Sequence, residues 1–208
     1  HAANASNDKR AFAEAAAWGD ARRRLLLKDE VEPDGAAVRA ALDEPGLDLL
    51  AAVFNGVDDA LASHQTTPLG PWTLSAVGGG LEACLHHALE GGWQVLLTAD
   101  HGHTPFWSTD RKVASDGKGG GRWRPADAEV GEGAVQLPAG ALRSTGLSVL
   151  VDVGAYFGTQ LAGYHGGVSL EEVVVPIAFL SKDGRGLPLP SWWSEPASPP
   201  REPAEAPR

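Results

Sequence analysis

Trp93-Gln94-Val95-Leu96-Leu97-Thr98-Ala99-Asp100-His101-Gly102-His103 is the stretch around which the chain is organised. The apolar run 95–97 has the length and branching of a buried strand. It stops abruptly at Thr-Ala-Asp-His-Gly-His, so carboxylate and imidazoles fall at the strand's C-terminal end, where open α/β sheets place their ligands. An Asp beside a His offers one hard oxygen and one borderline nitrogen, a donor pair suited to zinc or manganese. Gly102 lets the backbone turn sharply and come close to whatever is bound. Taken alone, the motif reads equally well as a polar loop after a strand.

The pattern recurs twice. In 47–54, Leu49, Leu50, Val53 and Phe54 read as a buried strand, followed by Asn55-Gly56-Val57-Asp58-Asp59, with His64 soon after. The other anchor is Ala162-Gly163-Tyr164-His165-Gly166-Gly167, where an imidazole between glycines is hard to explain by core packing. Ser169 and Glu172 then form a capping-box pattern for one helical turn. Residues 173–180 read as a strand, with Pro176 marking an edge or end.

Between the first two strands, Trp72, Leu74, Val77, Leu81, Leu85 and Leu89 define an amphipathic helix, capped by Thr73 and closed by Gly91 and Gly92. Gly78, Gly79 and Gly80 weaken it by about 1 kcal/mol each relative to Ala, or mark a break. Strand, helix, strand describes a βαβ unit and a parallel sheet. Upstream, residues 8–28 are predicted as a helix whose later turns carry Arg22, Arg23 and Arg24, and 36–42 as a short second helix. Residues 104–142 look irregular. Their glycine-rich run 116–122 lacks the Gly-Lys-Ser/Thr ending of a phosphate loop. Arg122 and Arg124 are candidates for clamping a phosphoryl group, and equally for structural use. Residues 147–153 are strand-like.

The expected organisation is a helical lead-in (1–46), a core domain (47–182) and a Pro-rich, disordered tail (183–208) on which Trp192 and Trp193 offer docking groups. With 208 residues, 43% of them hydrophobic, the chain can bury one sizeable core. A formal net charge of −10 argues against broad nonspecific binding to nucleic acid or acidic membranes. The single Cys84 excludes an intramolecular disulfide and reads as a core thiol, which fits a cytoplasmic protein. No stretch approaches the roughly 18 apolar residues of a membrane span, and no signal peptide is visible. The chain opens on His1 without an initiator Met, which leads us to expect a piece of a longer protein.

Together, 53–61, 95–103, Arg122-Trp123-Arg124 and 163–176 resemble the PglZ family of the alkaline phosphatase superfamily, a component of BREX phage-defence systems. The likeness is greatest to the actinobacterial, type 2 branch and covers roughly 47–180. It implies an alkaline-phosphatase-like α/β fold, with a mainly parallel sheet flanked by helices, of which this chain is the C-terminal half. It also implies phosphoryl transfer on two divalent ions, zinc first, then manganese or magnesium. Asp100 and His101 match the pair holding one ion, and His165 a ligand of the other. Asp58 is the candidate to join His165, with Asp59 its rival. The ligand that often follows that aspartate four residues later is here Ala62, and His64, six residues on, is a candidate substitute. His103 reads as an outer residue orienting a ligand, or as part of the loop.

The resemblance places the nucleophilic Ser or Thr upstream of these motifs, and no strand ending in such a residue is predicted in 1–46. A weak or inactive site is therefore expected, with other phage-defence proteins as partners and a phosphorylated or phosphodiester compound as substrate. The competing expectation is a non-catalytic interaction module. A serine hydrolase would need Ser169 beside His165, but the segment lacks the second glycine of a nucleophile elbow.

Overall fold

A computed structural model describes residues 5–15, 18–62, 73–75, 77–105, 111–116, 118–140, 145–184 and 186. Helix α1 (Ala5–Glu14) ends far short of residue 28. Gly19, with a left-handed φ of +55°, interrupts the predicted helix. The chain resumes as strand β1 (Arg23–Leu26). The arginine triplet is held by partners. Arg22 donates to Glu44 at 2.7 Å, Arg23 to the Ala15 carbonyl at 2.8 Å, and Arg24 to Glu44 at 3.3 Å.

From β1 the chain passes through α2 (Lys28–Val31) and α3 (Ala36–Leu42) to β2 (Leu49–Ala52). β1 and β2 pair in parallel, from Arg23↔Leu49 to Leu26↔Ala52. This is a βαβ crossover one unit earlier than the sequence predicts, and it puts a strand of the expected helical lead-in beside the first strand of the expected core. After β2 come α4 (Gly56–Leu61) and α5 (Leu81–Glu90). Among the described residues the predicted long helix is present only from Leu81, because Gly78, Gly79 and Gly80 take φ values of +85°, +58° and +64°. These glycines are a break, and Gly80 rather than Thr73 is the N-cap.

Leu26, Val31, Val38, Ala41 and Cys84 form the first core. Burying Leu26, 1% exposed, contributes on the order of 1.5–3 kcal/mol. Cys84 is the expected core thiol, its Sγ 3.5 Å from the Gly35 carbonyl oxygen. A Cβ on Gly35 would lie 2.4 Å from that sulfur, so only glycine fits there.

The second half contains β3 (Val95–Thr98), β4 (Thr104–Pro105), β5 (Arg111–Lys112), β6 (Trp123–Pro125), β7 (Ala134–Leu137), β8 (Leu147–Leu150), β9 (Ala155–Tyr156), β10 (Gly163–Tyr164), α6 (Leu170–Val173) and β11 (Ile177–Leu180). The stretch read as irregular thus carries four short strands. β6, β8 and β7 make an antiparallel sheet over a second core of Val113, Leu150, Ala155 and Phe157. β3 pairs antiparallel with β11, and β4 with β10, while β5 and β9 are parallel.

The protein is therefore mixed α/β, built of small sheets. The expectation of a mainly parallel sheet is corrected: among the described residues only β1–β2 and β5–β9 are parallel. The pairing of β2 with β3 implied by the predicted βαβ unit is likewise not among the described pairs. An apolar run reveals that a strand is buried, but not which strand lies beside it or in which direction. The β3–β11 face bearing Leu96 (55% exposed) and Ile177 (72%) is open, and Leu170, Val173 and Val174 nearby in sequence are exposed too. No helix among the described residues is long and apolar enough to cross a membrane. Of the tail, only 183, 184 and 186 are described.

Candidate metal centre

Three loops bring the candidate ligands together, each set by a short element. After β2 the chain turns directly into α4, whose first turn carries Asp58 and Asp59. Gly56 permits that turn, since a Cβ there would lie 1.7 Å from the Val77 carbonyl oxygen. The two carboxylates diverge. Asp59 takes the Lys28 ammonium at 2.6 Å, whereas Asp58 Oδ1 lies 2.7 Å from His103 Nε2. Asp58 is the carboxylate grouped with His101 and His103, while Asp59, paired with Lys28, also borders the cleft.

After β3 the chain runs through Asp100, His101, Gly102 and His103 into β4. The Gly102 N–H donates to the Glu172 carbonyl oxygen at 2.8 Å. A Cβ on Gly102 would sit 2.0 Å from the Glu171 carbonyl oxygen, so the loop can lie against α6 only with glycine there. In the β4–β10 pair Tyr164 faces Thr104. One residue further in that antiparallel register, His165 faces His103, and their rings are 5.4 Å apart at 73°. His101 stacks face to face on His165, with centroids 4.1 Å apart and planes 5° from parallel, and lies 5.0 Å from the His103 ring.

Asp58, His101 and His103 each present a donor atom, and the three atoms all lie within 4.8 Å of one another. The His103 Nε2 atom is buried, with Asp58 Oδ1 as its partner at 2.7 Å. That approach is within ion-pair distance. Burial holds the His103 imidazole below its usual pKa, reinforced by His101 and His165 and opposed by Asp58. His165 is likewise held down, by burial first and by His101 next. Neutral imidazole is the form that binds a metal ion. Donor type and protonation state fit a divalent cation of the zinc kind.

The remaining predicted residues fall elsewhere. The Asp100 side chain is 91% exposed and stands beside the cluster, its Oδ1 3.6 Å from His101 Nε2. His64 lies outside the described residues. Of the two readings left open for Arg122, phosphate contact and structural use, its surroundings favour the structural one. Arg122 is fully buried, and its five N–H groups go to Glu172 Oε1 (3.1 Å) and Oε2 (2.8 Å) and to the carbonyls of Asp152, Ala155 and Leu150. None is left for a phosphoryl oxygen. Arg124 is buried as well, bonded to Ser115 Oγ at 3.0 Å and lying 4.3 Å above the Phe157 ring. Both arginines hold the second core together, and the substrate-binding role expected of them has no geometric basis here.

Glu172 is the residue whose importance the sequence understated. It reaches back to Ser169 as the capping pattern predicts, accepting from its hydroxyl at 2.9 Å and its N–H at 3.2 Å. The same carboxylate accepts from Arg122 and from the Gly167 N–H at 2.8 Å. One buried ion pair thus fixes the loop carrying His165, while the Glu172 backbone holds the loop carrying His101 and His103. His103 was the other understatement. Its separation of two from His101 puts both side chains on one side of an extended segment, and that was the available signal.

Asp58, Leu61, His103, Trp123, Tyr164 and His165 line a cleft of about 220 Å³. It is smaller than the pockets that hold drug-sized ligands, so it admits a small group. A larger hollow of about 430 Å³, lined by Ser75, Leu81, Glu82 and His86, shares no residue with the cluster and, among the described residues, holds no comparable set of converging donors. No protein-family model matches the chain, and no curated protein matches it.

Proposed function

We propose that this chain carries a metal-dependent phosphoesterase domain, a phosphatase or phosphodiesterase of PglZ type, acting in the cytoplasm as part of a bacterial phage-defence system. The supporting observation is the convergence of Asp58, His101, His103 and His165 from three distant segments beside one small cleft. An alkaline-phosphatase-like arrangement is the finer fold reading that accompanies this proposal, and the mixed α/β architecture is its coarser, observed part.

On this reading the complete domain holds two divalent ions, zinc first and manganese or magnesium next. The ions supply charge neutralisation for a phosphoryl group and for the oxygens that attack and leave it. The protein's own contribution is to keep imidazoles neutral, to offset metal charge with Asp58, and to hold both histidine loops rigid through Arg122 and Glu172. No nucleophile is assigned to these residues, so the chain alone should turn over slowly.

The test is hydrolysis of p-nitrophenyl phosphate and of bis-p-nitrophenyl phosphate by the zinc-loaded and the manganese-loaded chain, with a chelated control. Slow, chelator-sensitive hydrolysis of either ester supports the proposal. Absence of both activities with metal bound would favour the second reading, a non-catalytic module that binds other defence proteins. That reading draws on the uncovered apolar face of β3 and β11 around Leu96 and Ile177.

A further inference from the structure

We infer that the cleft beside the histidine cluster takes an aryl phosphate, a phosphoryl group esterified to a single aromatic ring, with the Trp123 indole as the surface on which that ring stacks. The inference rests on the phosphoester reading above and names its substrate class.

The cleft has two kinds of wall. Asp58, His103 and His165 supply a polar one, and Trp123, Tyr164 and Leu61 an apolar one. A carboxylate on the polar wall repels an anion until a cation offsets it, so the phosphoryl group belongs there together with the divalent ions of the proposed function. The apolar wall is left for the group that the phosphoryl is esterified to.

Glycines make room for that second wall. A Cβ on Gly120 would lie 2.4 Å from Trp123 Nε1, and one on Gly166 would lie 3.0 Å from Trp123 Cδ1. The indole atoms nearest to both glycines belong to the five-membered ring, so the outer edge of the six-membered ring is the part they do not cover. Trp123 is half-buried and borders the cleft, as expected of a ring seated at one end and presented at the other. Gly166 directly follows His165, which sets the indole next to the polar wall. Gly121 admits the Tyr164 ring in the same way, a Cβ there lying 2.4 Å from Tyr164 Cδ1. Tyr164 is pinned in turn. Its hydroxyl donates to the Thr159 carbonyl at 3.1 Å and accepts from the Leu161 N–H at 2.8 Å, and its ring stacks on Tyr156 with centroids 5.2 Å apart. The glycine-rich run 116–122, which lacks a phosphate-loop ending, thus shapes the aromatic side of the cleft.

Size and chemistry then name the ligand. A cleft of about 220 Å³ lies below the range of drug-sized pockets, so it admits one ring rather than a polynucleotide segment. An arene against an indole gains offset-stacked or edge-to-face attraction beyond the area it buries, and a saturated ring of similar bulk does not. Free aryl phosphates and the phosphotyrosine side chain share this chemistry.

The experiment is titration calorimetry of the zinc-loaded full chain with phenylphosphonate and cyclohexylphosphonate, which cannot be hydrolysed, and with inorganic phosphate as the reference. Phenylphosphonate should bind about 3- to 10-fold more tightly than cyclohexylphosphonate. W123L should abolish that preference and W123F should retain it. G120A keeps the indole but pushes it off its seat, and should reduce the preference as well. Where W123L fails to fold, the preference of the unmutated chain and its reduction in G120A decide. A short peptide carrying phosphonomethyl-phenylalanine separates the two sources: tighter binding than phenylphosphonate identifies phosphotyrosine, and weaker binding a free aryl phosphate. Equal affinity for the two phosphonates, or a preference kept in W123L, would overturn the inference, while phosphate binding would leave the phosphoester reading standing. No binding of any of the three probes would overturn both.

Discussion

Glu172 and Arg122 are both buried, and each holds the other's charge away from water. Removing one partner strands an uncompensated charge, whereas an apolar pair of similar volume does not. Glu172→Ala should therefore lower the unfolding free energy by about 3–5 kcal/mol, and the Arg122→Met, Glu172→Leu double variant by clearly less, both measured by urea denaturation. Burial pushes the Glu172 carboxyl up, but the Arg122 hydrogen bond, the Gly167 N–H, the Arg122 charge and Ser169 outweigh it and hold its pKa below the usual 4.5. Its contribution is complete above pH 4.5 and is lost as pH falls through the folded value. His103 and His165 act in the same direction at higher pH. Folded, they protonate less readily than their usual 6.5, so metal-free stability is complete above pH 6.5 and declines as pH drops from there. An unfolding series from pH 8 to pH 5 should show that decline, flattened in H103Q/H165Q. An unchanged profile in the double variant would refute the assignment.

At the scale of elements, two glycines set the distance between loops. A Cβ at Gly102 meets the backbone of α6, and one at Gly167 lies 2.6 Å from Glu172 Oε2 and from the Leu150 carbonyl oxygen. Gly102→Ala should cost about 1–3 kcal/mol by overpacking and should also weaken zinc binding by displacing His101 and His103. Thermal unfolding and zinc titration of the same sample separate the two effects. Much at this scale was legible in the sequence. The strand ends before Asp58 and Asp100, the Ser169–Glu172 capping pair and the glycine break at 78–80 follow from spacing and local chemistry. What was not legible depends on partners far along the chain. β1 was hidden inside a helical pattern because its pairing with β2, not its composition, makes it a strand. Arg122 stayed open between a phosphate contact and a structural role because no local signal announces a counter-ion fifty residues away. His103 was undervalued because the β4–β10 register that sets it opposite His165 joins segments sixty residues apart.

Across the whole molecule, three segments separated by dozens of residues meet at one point, and the short sheets around them leave little regular structure to hold it. Helix α4, which follows β2, carries Asp58, while the loops after β3 and β10 carry the histidines. An ion bound by both groups ties them together and so stabilises the fold by linkage, by about 2.7 kcal/mol at a zinc concentration one hundred times the dissociation constant. The unfolding midpoint should rise with zinc in the unmutated chain and stay put in D58N, as followed by circular dichroism. A rise of equal size in D58N would mean that zinc is held elsewhere. The most direct measurement is anomalous diffraction at the zinc edge from crystals grown with zinc. The account predicts one strong peak bounded by Asp58, His101 and His103, beside the stacked face of His165. A chain that takes up zinc only at surface carboxylates, with no peak among those three side chains, would contradict it.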